Sequence, residues 1–285
     1  MTPHADLAPL TSSEFRQFQD LILAEAGIHL NESKRVLVQT RLARRLRSLG
    51  FQTYGDYFQY LSQQPAQSGE RREMINCITT NKTEFFRENH HFEFLRERVI
   101  PEIRLRAAGG AAKKLRVWSA ACSTGEEPYS VAVTIRETLG ADQSWDARIL
   151  ASDIDTNVLA TAEAGIYEAD RFAQLPTALL RRHFMRRESD GALMANANLK
   201  AMIRFRRINF IDPAWPIRAT FDVIFCRNVI IYFNRATQER LFERLARYLN
   251  PTGYLMVGHS ESLHWLNHLL VPVENTIYQV RKEAA

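Results

Sequence analysis

The sequence predicts an α/β protein preceded by an all-helical segment, on three observations. From Lys114 onward, short β-prone runs alternate with helical patterns, which makes a mostly parallel sheet with helices on both faces. Before Asn89 the apolar residues recur at helical spacing. Between Leu179 and Phe205 the alternation breaks, and a turn signal at Ser189-Asp190-Gly191 marks a small antiparallel hairpin or three-stranded flap inserted in the α/β part.

In chain order, Ser12 or Ser13 can cap a helix from about Glu14, whose face carries Phe15, Phe18, Leu21, Ile22 and Glu25 and ends near Gly27. A second helix runs from Asn31 or Ser33 to Leu49 and is closed by Gly50. Val38, Leu42, Leu46 and Leu49 give it a core face, while Lys34, Arg35, Arg41, Arg44, Arg45 and Arg47 make it strongly basic. That basic face is either simply solvated or made to read an acidic surface. Thr53 to Leu61 is a third helix, and Ser62 to Glu70 a polar loop. From Met74 to Arg98, Asn81, Thr83, Glu84, Arg87 and Asn89 crowd the junction of two helical segments beside Phe85 and Phe86. Such polar residues are costly to bury without partners, so a ligand or a hydrogen-bonded interface is expected there. His90 and His91 are adjacent and should diverge on a helix, so they are not read as a metal pair, and no metal site is expected.

The stretch Lys114 to Gly140 reads as strand, tight turn, helix. Leu115, Val117 and Trp118 form the strand, Ser119 to Gly125 are mostly small, and helical spacing follows from Glu126 to Leu139. Small residues let a backbone approach a ligand, and the turn's N–H groups with the first helical turn should offer it a polar surface. Arg148–Ser152, Ile203–Ile208, Phe221–Cys226 and Tyr254–Gly258 are the further strands, with helices at Thr156–Ala164 and Gln238–Leu249. Ligands in such sheets sit at the carboxyl ends of the strands.

At 285 residues and 46% apolar composition the chain can hold two domains with substantial cores. It has no bilayer-length apolar run and no signal-peptide pattern at its start, so a cytoplasmic protein without membrane insertion is expected. Cys77, Cys122 and Cys226 are isolated and odd in number, which agrees with a reducing compartment. A formal charge of +5 points to an acidic partner: nucleic acid, membrane surface or protein.

Chemistry concentrates at the predicted strand ends. Asp153, closing the run Ile149 to Ser152, offers a carboxylate suited to the vicinal hydroxyls of a ribose, and Asp155 reads as a helix cap. Asn209 follows one strand; Arg227, Asn228 and Tyr232 follow another. Together they favour a nucleoside-type cofactor, although on these residues alone NAD and S-adenosylmethionine are equivalent. One glycine in the turn, where a dinucleotide fingerprint has three, speaks against a dehydrogenase. Gly258 to Ser262 approximates a nucleophile elbow but lacks its final glycine and the partners in chain order.

Read together, TTNKTEFFRE, VWSAACSTGEEPYS, LASDID, INFIDP, FDVIFCRNVIIYF and GYLMVGHSES closely resemble the CheR family of chemotaxis receptor methyltransferases, over nearly the whole chain. The resemblance implies a class I S-adenosylmethionine-dependent methyltransferase domain, Rossmann-like, with an inserted antiparallel β-subdomain and an all-helical N-terminal domain. It places the recognition domain at residues 1–90, the methyltransferase domain at 91–285 and the insertion at about 179–202. The implied activity is transfer of a methyl group from S-adenosylmethionine to receptor glutamates, leaving S-adenosylhomocysteine. Carried over by motif, Asn81, Thr83, Arg87, Glu126 or Glu127, Asp153, Asn209, Phe210, Arg227 and Asn228 would contact the cofactor, with Glu127 favoured of its pair. Arg87 and Tyr232 would border the methyl group and act in catalysis. Arg41, Arg44, Arg45 and Arg47 would read the acidic helical bundle of the receptor. The hairpin turn RRESDGA is shorter than in members that grip a peptide at the receptor's C-terminus, so an enzyme independent of that pentapeptide, and monomeric, is expected. Nucleic acid is not an expected partner; a basic adaptor that binds acidic protein or nucleic acid without methyl transfer is the competing reading.

Overall fold

A computed structural model describes residues 7–281, apart from 141 and 143. Four helices open the described chain: α1 (Ser12–Ala26), α2 (Arg35–Leu49), α3 (Tyr54–Gln63) and α4 (Gly69–Ile78). They enclose one apolar core containing Phe15, Phe18, Ile22, Val38, Leu42, Leu46, Tyr57 and Met74. Leu49, expected on the core face of α2, is exposed instead, because the helix ends there. The cap of α1 is Thr11 rather than Ser12 or Ser13. Its hydroxyl accepts from Glu14 N at 3.2 Å while Glu14 Oε2 accepts from Thr11 N at 2.9 Å, a reciprocal capping box. The polar stretch after α3 is shorter than expected, since Ser68 caps α4.

A loop over residues 79–89 leads into α5 (His90–Phe94), which continues through one π turn (Leu95–Val99) into α6 (Ile100–Ala108). Then come β1 (Lys114–Ala120), α7 (Glu126–Leu139), β2 (Asp146–Asp153), α8 (Thr156–Ala164) and β3 (Ile166–Tyr167). After them lie α9 (Thr177–His183), β4 (Phe184–Arg186), β5 (Leu193–Ala195), α10 (Ala197–Met202), β6 (Ile203–Arg207) and β7 (Phe221–Cys226). The last elements are α11 (Arg235–Arg247), β8 (Leu249–Val257), β9 (Leu270–Glu274) and β10 (Ile277–Val280).

The seven-stranded sheet has the order β6-β2-β1-β7-β8-β10-β9. Strands β6 to β8 pair in parallel, and β10 is antiparallel to both its neighbours. Alternate residues of each central strand feed opposite cores: Val117 and Phe225 pack on one side, Trp118 and Ile224 on the other. The closing pair β9 and β10 was not legible in advance. Strand β8 begins at Leu249, upstream of the expected Tyr254, so Asn250-Pro251 lies in the strand rather than after a helix.

The small sheet has the order β3-β5-β4. It includes Ile166–Tyr167, upstream of the expected 179–202 span, and two helical turns occupy parts of that span. The hairpin turn itself falls where Ser189-Asp190-Gly191 predicts, with Arg187 N donating to Ala192 O at 2.8 Å.

Candidate active site

After β1 the chain crosses through α7 to β2 on one side, and only later returns to β7 on the other, so β1 is where the winding reverses. At that reversal, on the carboxyl ends of the strands, lies a cleft of about 360 Å³. Ala121, Cys122 and Ser123 floor it after β1, Asp153 and Ile154 after β2, Ile208 to Phe210 after β6, and Arg227 to Val229 with Ile231 to Phe233 after β7. The loop 79–84 and Arg87 form one wall.

The turn after β1 folds differently from the expected N–H cradle. Ala121 and Cys122 both donate to Ser152 O, at 2.8 and 2.9 Å, and Ser123 N donates to Asp153 Oδ2 at 2.8 Å. These N–H groups are spent on holding β2, so the cleft meets the small side chains of the turn instead. Gly125 starts α7 at φ 99°, and a Cβ there would stand 2.8 Å from Ala162 Cβ and 2.7 Å from the Tyr167 hydroxyl. The lone glycine therefore serves packing of α7 against α8, not ligand approach. Ala121, Ser123 and Asn228, all on the cleft, are non-glycine residues at φ 69°, 50° and 55°. Such strain gathers where a binding surface must be held in one shape.

Asp153 is buried, and burial pushes its carboxyl up to about 6 although the Asp155 and Ser123 N–H groups pull the other way. Each oxygen accepts one of those N–H bonds, leaving lone pairs free for a diol. Asp155 caps α8, as its position predicts, and also accepts from Asn81 Nδ2 at 2.8 Å.

Arg227, whose side chain is only 2% exposed, is the hub of the far wall. It pairs with Glu127 and Glu88 at 3.1 Å each and donates to the main-chain oxygen of Arg87. Ser119 donates to Glu127 at 2.6 Å. Burial raises the Glu127 carboxyl despite Arg227, whereas at Glu88 burial is outweighed by Arg227 and the net shift is downward. Arg87 itself donates to Lys82 O at 3.0 Å and lines the cleft.

Of the residues singled out in the sequence, Asn81, Thr83, Arg87, Glu127, Asp153, Asn209, Phe210, Arg227, Asn228 and Tyr232 all line this one cleft. Glu126 does not. It is fully buried, pairs with Arg171 and accepts from Thr124 Oγ1 at 2.6 Å. Asn209 is 1% exposed, and its amide donates to Glu25 O at 2.7 Å, fastening the end of α1 to the sheet. Of the α2 arginines, Arg41 donates to the Ile78 and Thr79 carbonyls at the end of α4, and Arg45 grips Glu70. Only Arg44 and Arg47 of that set are exposed. His90 and His91 do not diverge: their rings lie 4.0 Å apart and both Nε2 atoms reach Thr276 Oγ1, because the β9–β10 turn packs against the first turn of α5.

One wall was missed. Ile28 forms a β-bridge with Phe233, His29 N donates to Tyr232 O at 2.8 Å, and His29, Leu30, Asn31 and Lys34 reach the cleft. The available signal was Gly27, read only as a helix end. At φ 71° its Cβ would meet Ile211 Cγ2 at 2.6 Å, which marks a close approach between the helical and sheet halves.

The residues fit an adenosyl donor on their own chemistry. A ribose-matched carboxylate ends β2, apolar Ile154, Ile208, Phe210 and Val229 offer surfaces to a base, and the Glu127 carboxyl suits the ammonium of an amino-acid tail. Strand order and cleft define a class I S-adenosylmethionine-dependent methyltransferase.

The family is given by comparison. Residues 13–79 match the CheR methyltransferase all-alpha domain and residues 81–279 the CheR methyltransferase SAM binding domain. The chain is 42% identical to chemotaxis protein methyltransferase 2 of Pseudomonas aeruginosa over 94% of its own length and 93% of the relative's. It is 40% identical to the chemotaxis protein methyltransferase of Escherichia coli, over 96% and 93%. The protein belongs to the CheR methyltransferase family. No helix among the described residues is long and apolar enough to cross a membrane.

Proposed function

We propose that the protein methylates glutamate side chains in the cytoplasmic helical bundle of a chemoreceptor, yielding glutamate methyl esters and S-adenosylhomocysteine. The observation that carries this reading is the convergence of Asp153, Glu127, Arg87 and Tyr232 on one switch-point cleft in a CheR-family chain. S-adenosylmethionine, when bound, supplies a sulfonium-activated methyl group. Asp153, Asn81, Thr83, Phe210 and Asn228 hold it, with Glu127 on its amino-acid end.

A glutamate of ordinary pKa, about 4.3, is already ionised at neutral pH, so the chain need supply no general base. Its residues instead orient the incoming carboxylate and exclude water, effects that can be worth several kcal/mol, on the order of 7 for ideal alignment. Arg87 pairs with that carboxylate, and Tyr232 flanks it. Arg44 and Arg47 on the exposed face of α2 meet the acidic bundle, while Arg41 and Arg45 hold α2 against α4. Residues 1–90 serve recognition and 91–285 the transfer, and the protein works as a monomer in the cytoplasm, independent of a receptor pentapeptide. Incubation with methyl-labelled S-adenosylmethionine and receptor cytoplasmic fragments should give base-labile methyl esters. Tight, salt-sensitive nucleic-acid binding with no ester formed would replace this reading with the basic adaptor.

A further inference from the structure

Behind Arg87 three polar atoms meet without partners. Glu88 Oε2, His91 Nδ1 and Arg227 Nε are all buried and lack a hydrogen bond among the described residues. They belong to one cluster: Glu88 Oε2 lies 3.1 Å from Arg227 Nη2 and 3.8 Å from His91 Nδ1.

The proton positions follow from the surroundings. Thr276 Oγ1 donates to Asn275 O at 2.7 Å, so it must accept from His91 Nε2 at 2.9 Å. His91 therefore carries its hydrogen on Nε2 and turns a lone pair on Nδ1 toward Glu88. Burial, and then the neighbouring charge of Arg227, pull its pKa down to about 2, so the ring is neutral. Glu88 is ionised beside Arg227. Two acceptors thus face one another at 3.8 Å, with an unused donor, Arg227 Nε, in the same cluster. Left so, each would carry the cost of a buried unsatisfied group.

We propose that Glu88, His91 and Arg227 bind one water, which donates to Glu88 Oε2 and His91 Nδ1 and accepts from Arg227 Nε, and that this linkage makes His91 a positioning residue for Arg87. Two hydrogen bonds of about 2.8 Å from one oxygen span the 3.8 Å gap at an acceptor–oxygen–acceptor angle of about 85°, so each bends by roughly 10° from linear, within the hydrogen-bond range. The linkage runs from the β9–β10 turn through Thr276, His91 and the water to Arg227, whose guanidinium donates to the Arg87 carbonyl. Glu88 sits at φ 58° and Phe86 at φ 54°, so Arg87 rides on a strained segment that outside contacts must hold.

The inference rests on the role proposed for Arg87, but its first test does not. A high-resolution structure of the intact protein should show a water within about 3.2 Å of all three atoms. An empty space, or direct contact between His91 and Glu88, overturns the site whatever Arg87 does. Kinetics test the second half. His91→Phe removes the acceptor and should lower kcat for receptor methylation on the order of tenfold, with KM for S-adenosylmethionine little changed. His91→Asn places an amide oxygen near the former Nδ1 and should recover most of the rate. Equal losses in both variants, or full turnover in His91→Phe, overturn the positioning role; should His91→Phe fail to fold, the water and the His91→Asn rate decide.

Discussion

Arg227, at the end of β7, donates through Nη2 to the main-chain oxygen of Arg87, while Nη2 also pairs with Glu88 and Nη1 pairs with Glu127, at 3.1 Å each. A single guanidinium thereby fixes three segments. Removing it would leave two half-buried carboxylates without a counter-charge. Arg227→Ala should therefore cost about 3 kcal/mol or more of stability, read from chemical denaturation. Arg227→Lys, with no planar fork, should recover only part of it.

Arg87 contributes little packing, since its side chain makes one hydrogen bond to Lys82 O in its own loop. Arg87→Ala should consequently fold with an unchanged melting temperature and bind S-adenosylhomocysteine nearly as well as the parent, yet lose methyl transfer by about a hundredfold. Near-normal turnover would remove Arg87 from the reaction.

Much of this site was legible because it sits at strand ends, where type and position are both constrained. Asp153 closes an apolar strand, and its place on the cleft could be read from that alone; Asp155 followed as a cap. What was not legible depends on contacts between distant segments. That Glu127 rather than Glu126 faces the cleft turns on Arg171 reaching back from residue 171 to claim Glu126. Arg41 and Arg45 looked like their neighbours Arg44 and Arg47, and only the packing of α4 separates them. The His29 wall needed the Ile28–Phe233 bridge, a pairing of residues about two hundred positions apart with no local pattern. The β9–β10 hairpin is short and interrupted by Pro272, so its alternation was too brief to read.

Asp153 gives the cleft a pH dependence of definite sign. Its carboxyl is raised by burial to about 6 from a usual value near 3.9, so the native state holds this proton more tightly than the unfolded chain. Its contribution to stability is therefore greatest below that usual value and is lost as pH rises through about 6. The diol recognition proposed for Asp153 runs the other way, because it needs the ionised form. Calorimetry of S-adenosylhomocysteine binding should show affinity falling below about pH 6, and Asp153→Asn should weaken binding and flatten the profile.

The α2 arginines separate into two experiments. The double variant Arg44→Glu, Arg47→Glu changes exposed side chains and should leave stability within about 0.5 kcal/mol while raising KM for receptor fragments and weakening its salt dependence. Arg45→Ala should do the reverse. It strands Glu70, which also accepts from Tyr57 at 2.8 Å, and should cost about 2 kcal/mol with a smaller kinetic effect after correction for folded fraction. If Arg45→Ala alone raised KM at unchanged stability, the division of labour on this helix would be wrong.

The small sheet bears on whether a receptor tail is gripped. A peptide docking there would add as a strand along an exposed edge, with main-chain hydrogen bonds supplying the affinity. The edge strand β4 spans only Phe184–Arg186, and the turn beyond it is closed by the Arg187–Asp190 ion pair and by Ala192 N donating to Asp190 Oδ1 at 3.1 Å. So short an edge leaves few ladder bonds for a guest. Calorimetry with a peptide copying a receptor's last five residues should find binding no tighter than about millimolar, and deleting those residues should change methylation of the receptor fragment less than about twofold. Micromolar binding, with a matching loss on deletion, would make β4 a docking edge after all.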